Sequence, residues 1–219
     1  MQCEDASAAA SVAEQEEAAL QAITTAPIDT INLREFFTLF ADQSGESSSQ
    51  HTLDNSSSRQ LQLKVAKQLL SRILNIHLLV AENNDKQHAH QYEAKISREC
   101  SKILKLLSAH VEPHPLLTRM YLATMSDTSD TICKKLLIEA LPQIIGTSSS
   151  SSITRGLVGS SSSTTAPIIT SQVSDQHSEE IDLCLQCLLE LSSTDRSLIP
   201  SIIGTIHELA LNEKQKKAA

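Results

Sequence analysis

From residue 59 to about residue 81 the chain holds its apolar side chains in helical register: Val65 or Ala66, Leu69, Leu70, Ile73 and Leu74, with His77 next on the same face. Spacings of three and four residues lay such side chains in one stripe along a helix, whereas a half-buried strand would need alternation. The same register returns in the other apolar stretches. Residues 28 to 43, after Pro27, carry Leu33, Phe36, Phe37 and Phe40 on one stripe, and a long segment ending near residue 111 carries Ile96, Cys100, Ile103, Leu104 and Leu107. Residues 116 to 125 predict a short helix after the corner made by Pro113 and Pro115. Residues 131 to 145 predict another, with Ile132, Leu136, Leu137, Ala140, Leu141 and Ile144 inward and Gly146 just past its end. Nothing in the chain alternates, so the expected fold class is all-α.

Composition supports that reading. Aromatic residues are 2% of the chain, with no Trp, while 40% of it is hydrophobic. The core must therefore be built from Leu, Ile, Val and Ala, a poor stock for strands and a good one for helices packed on helices.

The expected organisation has five parts. Residues 1–43 form acidic N-terminal helices, the first over residues 7 to 24 with a thin apolar face. Residues 44–58 are a Ser-rich loop, and 59–146 are the main helical region. There, Asn83, Asn84 and Asp85 break an antiparallel helix pair, and residues 126 to 130 cap the next helix. Residues 147–174 form a second Ser-rich loop, too poor in apolar side chains to offset its chain entropy and so expected to be disordered. Residues 175–219 are a C-terminal helical pair. In its first helix, Ile181, Leu183, Cys184, Leu185, Cys187, Leu188, Leu189 and Leu191 are apolar nearly all round, which predicts deep burial. Ser193, Thr194 and Asp195 cap the second, which carries apolar residues from Leu198 to Leu211 before a polar tail.

Residues 141 to 147, LPQIIGT, are nearly repeated at 199 to 205, IPSIIGT. Pro142 and Pro200 each lie in an apolar helical pattern, the first near a helix end and the second near a helix start. If much of the Ser tract is an inserted loop, the underlying period shortens to that of helical-pair repeats. The segments KKLLIEALPQIIG (134 to 146) and DRSLIPSIIGTIHEL (195 to 209) resemble helices of HEAT or armadillo repeats, over roughly residues 59 to 212. The resemblance implies an α-solenoid-like stack of antiparallel helical hairpins. A compact helical bundle is the alternative.

Motifs that would carry chemistry are weak. Cys184 and Cys187 make a C-x-x-C, but mid-helix among leucines, where buried thiols are the simpler reading. His88 and His90 point in divergent directions on a helix, Pro113 interrupts the helix that His110 and His114 would need, and His77 and His207 fit as half-buried packing residues. The chain lacks G-x-S-x-G and H-E-x-x-H, and Gly156 and Gly159 lack the strand–loop–helix setting of a phosphate cradle. The expectation is no enzyme, no cofactor, no metal and no small-molecule substrate.

Charge is distributed unevenly. The net charge is −8, yet residues 1 to 58 hold ten acids and one base, whereas 59 to 135 hold twelve bases and seven acids. On KISRECSKILK, Lys95, Arg98, Lys102 and Lys105 form a basic stripe opposite Ile96, Ile103 and Leu107. It suits an acidic protein partner or the chain's own N-terminal segment, and otherwise a solvated face with Glu99 as an ion-pair partner. Direct nucleic-acid contact fits an acidic, aromatic-poor chain less well. The stripe and the exposed end of the helix bearing Phe36, Phe37 and Phe40 are the candidate partner-binding surfaces.

Five cysteines in apolar segments or near the start fit reduced thiols, and the acidic N-terminus is unlike a secretion signal. A cytoplasmic or nuclear location is expected, without a membrane span. The expected function is a non-enzymatic helical-repeat scaffold that binds other proteins of an intracellular complex, the last helix leaving room for a longer parent protein. The alternatives are an adaptor regulated by phosphorylation of the Ser tracts and a subunit associated with nucleic acid.

Overall fold

The computed structural model describes residues 4–41, 54–81, 89–146 and 170–218. Among these, every regular element is a helix. The order is α1 (Glu4–Thr25), a 3-10 turn (Ile28–Thr30), α2 (Leu33–Ala41), α3 (Asp54–Leu74), α4 (Ile76–Ala81), α5 (Ala89–His110), α6 (Pro115–Asp127), α7 (Thr131–Gly146), α8 (Thr170–Thr194), a second 3-10 turn (Arg196–Leu198) and α9 (Ile199–Ala218). They fall into two compact units, Met1–Glu112 and Pro113–Ala219.

In the first unit α3 is central, packing on α1, α2, α4 and α5. Its stripe is fully buried at Val65, Ala66, Leu69, Leu70 and Ile73 and meets Ile96, Cys100, Ile103 and Leu107 of α5. The α3–α4 arm and α5 run antiparallel: Gln62 accepts from the Glu112 N–H at 3.0 Å at one end, and His77 Nδ1 lies 2.9 Å from the Tyr92 hydroxyl at the other. α1 runs parallel to α3, with Glu16 beside Lys64 at 2.7 Å and Thr24 bonded to Gln68 at 3.0 Å. Only Leu20 and Ile23 of the described α1 side chains are buried, the thin apolar face expected of it.

In the second unit α6 packs on α7 and α8, and α9 packs on α7 and α8. Each helix thus lies against its sequence neighbour within a hairpin and against the helix two places along. The core includes Leu117, Tyr121, Met125, Cys133, Leu137, Ile138, Leu141, Cys184, Leu188, Leu191 and Ile202.

Several expected boundaries move. Residues 54 to 58 and 170 to 174 are helical, and the rest of the two Ser-rich stretches, 44–53 and 147–169, lies outside the described residues, as do Asn83, Asn84 and Asp85. α2 begins at Leu33 rather than residue 28, because Asn32 caps it: its Oδ1 accepts from the Glu35 N–H at 3.2 Å and its Nδ2 donates to Glu35 Oε2 at 3.2 Å. The helix expected over 59 to 81 breaks at Asn75, whose side-chain amide donates to the Ser71 carbonyl at 2.9 Å. Gly146 is the last residue of α7, and the polar tail is helical to Ala218.

Burial corrects two further expectations. α8 is not apolar on all sides toward a core: Leu183 and Leu189 face out, Leu189 at 64% exposure, while Cys184, Cys187, Leu188 and Leu191 face in. On α7, Ile132, Leu136 and Ala140 are half-buried, and the inward face is Cys133, Leu137, Ile138, Leu141, Ile144 and Ile145.

The two prolines are placed differently. Pro142 is buried inside α7, whereas Pro200 is exposed at the second position of α9, where a missing N–H costs nothing. Pro142 deprives the Ile138 carbonyl of its i+4 donor. The Thr205 hydroxyl of α9 donates to that carbonyl at 2.9 Å, and the buried Tyr121 hydroxyl of α6 donates to the adjacent Leu137 carbonyl at 2.7 Å.

Candidate functional site

The basic stripe stands on α5, held by the buried Ile96, Cys100, Ile103 and Leu107 on the opposite face. Its four residues do not share one environment. Arg98 and Lys105 are exposed, and Lys95 and Lys102 are half-buried. Lys102 Nζ lies 2.6 Å from Asp29 Oδ2 and 3.3 Å from Glu99 Oε1, so it bridges the 3-10 turn to α5. Hydrogen bonding to Asp29 first, and then to Glu99, holds its ammonium above the ordinary lysine range. Glu99 thus takes the ion-pair role expected of it, while Asp29 adds a partner from a distant part of the chain.

Beside this bridge a cleft of about 400 Å³ opens between the end of α1, the 3-10 turn, α4 and α5. Lys95, Arg98 and Lys102 line it; Lys105 does not. Arg72 of α3 lines it too, although only 4% of that residue is exposed. Its Nη1 donates to the carbonyls of Ile23 at 3.0 Å and Ala26 at 2.6 Å, at the C-terminal end of α1 where helix carbonyls lack intrahelical donors. Its Nε is buried without an acceptor. Burial lowers the guanidinium pKa from its ordinary value, opposed by the charge of Glu99.

Sequence periodicity found three cleft cations and missed the fourth. The available signal was a guanidinium set among Leu69, Leu70 and Ile73, where a solvated base is out of place.

On α2 the phenylalanines turn largely inward. Phe36 is buried, Phe37 and Phe40 are half-buried, and both rings pack against Phe36, with centroids 5.6 and 4.9 Å away. The exposed apolar residue of this helix is Leu39, at 55%.

Among the histidines, His114 caps α6, its Nδ1 accepting from the Leu116 N–H at 3.1 Å. His77 is half-buried, as expected, but His207 is exposed. Among the described residues no group of three or more His, Cys, Asp or Glu side chains could hold a metal ion. Nor, among them, is any helix long and apolar enough to cross a membrane.

Cys184 and Cys187 are buried, with Cys187 Sγ 3.5 Å from the Ser126 hydroxyl. Burial pushes the Cys184 thiol up to about 12 and raises that of Cys187 as well. Such thiols are poor nucleophiles. A thiol-reactive probe at neutral pH is expected to leave Cys184 unmodified in the folded protein and to label it after denaturation. Because the folded pKa lies above the unfolded value of about 8.5, the contribution of Cys184 to stability is complete below that pH. It is expected to fall as pH rises toward about 12, seen as a declining urea midpoint that a Cys184→Ala variant shows more weakly. Rapid labelling of folded protein at neutral pH would contradict the buried placement.

No family model, no curated protein and no solved structure matches the chain.

Proposed function

We propose that the chain is a non-enzymatic helical-repeat scaffold, its hairpins stacked in the manner of HEAT or armadillo units, binding other proteins of an intracellular complex through α5. The observation that carries this reading is the order of helix contacts. In an up-and-down bundle each helix packs on the helices before and after it. Here α6 packs on α8 and α7 on α9, while α1 packs on α3 and α2 on α5. Stacked hairpins produce this pattern, since like helices of successive hairpins lie side by side. The parallel course of α1 and α3 agrees with it. Stacking leaves one helix of each hairpin free to present side chains to partners. On α5 those side chains are Arg98 and Lys105, exposed on a helix whose opposite face is anchored.

Affinity purification of the native protein, followed by mass spectrometry, tests the reading. A reproducible set of proteins is expected, recovered at least about tenfold less with Arg98→Glu combined with Lys105→Glu, since long-range charge attraction governs such contacts. Recovery of the chain alone sinks the scaffold. Capture of RNA or DNA in place of protein, lost steeply with salt, replaces it with the nucleic-acid reading.

A further inference from the structure

The α8–α9 hairpin turns an apolar face away from the hairpin that precedes it. On α9, the Thr205 hydroxyl donates to the Ile138 carbonyl at 2.9 Å and the Ser201 hydroxyl to Glu139 at 3.0 Å, so both residues point at α7. Ile203 stands two residues from each, about 200° round the helix, and is 62% exposed. In the same row lie Ile199, 37% exposed, the half-buried Ile206 and the exposed Ala210. α8 repeats the arrangement. Cys187 points at α6, its Sγ 3.5 Å from the Ser126 hydroxyl, and Leu185 and Leu189, each two residues away, point the opposite way. Leu185 is half-buried and Leu189 exposed. Each row ends in a charge: Asp182 continues that of α8 one turn before Leu185, and Lys214 continues that of α9 one turn after Ala210, both exposed. The helices pack on each other through a short turn at Arg196–Leu198 and so run antiparallel, which sets the acid and the base together at the end away from that turn.

We infer that this face binds a second copy of the chain, about a two-fold axis parallel to the two helices. Such an axis keeps every residue at its own height and lays α8 on α9 of the second copy. Leu185 and Leu189 then meet the isoleucine row, and Asp182 meets Lys214, each contact made twice. A two-fold axis across the helices would lay α8 on α8 end to end, with Asp182 over the leucine end and a carboxylate stranded on apolar surface. The charges therefore select the first arrangement. Size agrees with it. From Ile199 to Lys214 a helix is about 24 Å long, and two helices side by side are about 20 Å wide, a footprint of roughly 500 Å² per copy. About 1,000 Å² in total lies at the lower limit of specific interfaces, so a dimer with a Kd on the order of 10 µM is expected. Apolar patches of this extent mark contact sites. The inference adds a self-contact to the scaffold reading and makes no use of α5.

Sedimentation equilibrium of the full chain, from about 1 to 300 µM, is expected to show a monomer–dimer equilibrium. Ile203→Asp and Leu189→Asp each bury an unpaired carboxylate in the contact and should each weaken it at least about tenfold. Leu39→Asp, at an exposed leucine of α2, should change it less than about twofold, with thermal melts showing all three variants folded. Asp182→Lys alone and Lys214→Asp alone set like charges opposite each other and should each weaken the dimer about threefold or more. Mixed together, these two variants should recover the wild-type affinity as a heterodimer, because each lysine then faces an aspartate. An ion pair within one chain could not be restored by mixing. A monomer throughout the range overturns the inference, as do growth beyond a dimer, indifference to both Ile203→Asp and Leu189→Asp, and equal sensitivity to Leu39→Asp. Mixing without recovery overturns the pairing of α8 with α9. Should the chain stay monomeric while Ile203→Asp removes proteins from the affinity capture, the second copy is overturned and the face belongs to another protein. The α5 variants are scored by that capture and the dimer by sedimentation, so failure of the scaffold and failure of the self-contact are distinguishable.

Discussion

Arg72→Met is expected to destabilise the first unit by roughly 2–4 kcal/mol, with the loss concentrated at the C-terminal end of α1. The reason lies in how little else holds that helix. Of its described side chains, only Leu20 and Ile23 are buried. Its ion pair, Lys64 with Glu16, leaves the Lys64 side chain 55% exposed and so contributes little. Arg72 Nη1, in contrast, bonds two carbonyls at the helix end, at 3.0 and 2.6 Å, and places a cation at the negative end of the helix dipole. Methionine fills similar space and removes a buried charge, which offsets part of the loss, but it leaves the Ile23 and Ala26 carbonyls without that donor. Lysine at the same position keeps the charge without the planar fork and should recover about half. Urea denaturation gives the magnitude, and amide exchange locates it: protection should drop around residues 20 to 26 and stay unchanged in α7. A change below about 0.5 kcal/mol would mean that the Arg72 bonds to the Ile23 and Ala26 carbonyls do not hold α1 in place.

The helices themselves were legible from apolar register, because Leu69, Leu70, Ile73, Ile96, Ile103 and Leu107 do face the core they predict. Their ends were less so, for a chemical reason. Asp, Asn and Ser both build loops and begin helices, so DNSSS at 54 to 58 reads as loop and yet opens α3. The break at Asn75 is invisible to periodicity because Ile73 and Ile76, on either side, keep the apolar spacing across it. Leucine count predicts deep burial of α8 but does not reveal how many of its sides have neighbours; Leu189 and Leu183 are exposed. At the candidate site, the α5 cations follow from their spacing. Asp29 and Arg72 could not be assigned to them, since both join the cleft through contacts across more than one helix. The cleft is a property of packing, whereas the stripe is a property of one helix.

Thr205→Val is expected to cost roughly 1–3 kcal/mol in the second unit, the range for a buried carbonyl losing its donor, and to cost far less when Pro142 is already alanine. The near-repeat supplies the cause. Proline at 142 has no N–H, so the carbonyl of Ile138, four residues earlier, cannot complete its helical bond. The threonine that ends the other copy reaches across from α9 and donates to it at 2.9 Å, with both residues buried. Valine matches threonine in branching and nearly in size, so the substitution removes little beyond the hydroxyl. Alanine at 142 restores the backbone donor and supplies the same carbonyl from within α7, which makes the Thr205 hydroxyl redundant. The two substitutions should therefore couple by about 1 kcal/mol or more, with the single Thr205→Val variant the worst of the set relative to its parent. Four urea curves, for the wild type, each single variant and the double, measure that term. Additive costs would show that Thr205 contributes only packing. A coupled result would explain why the copy in α7 carries its proline in the helix interior and the copy in α9 carries its proline at the helix start: the first opens a carbonyl, and the second, with its own backbone intact, closes it.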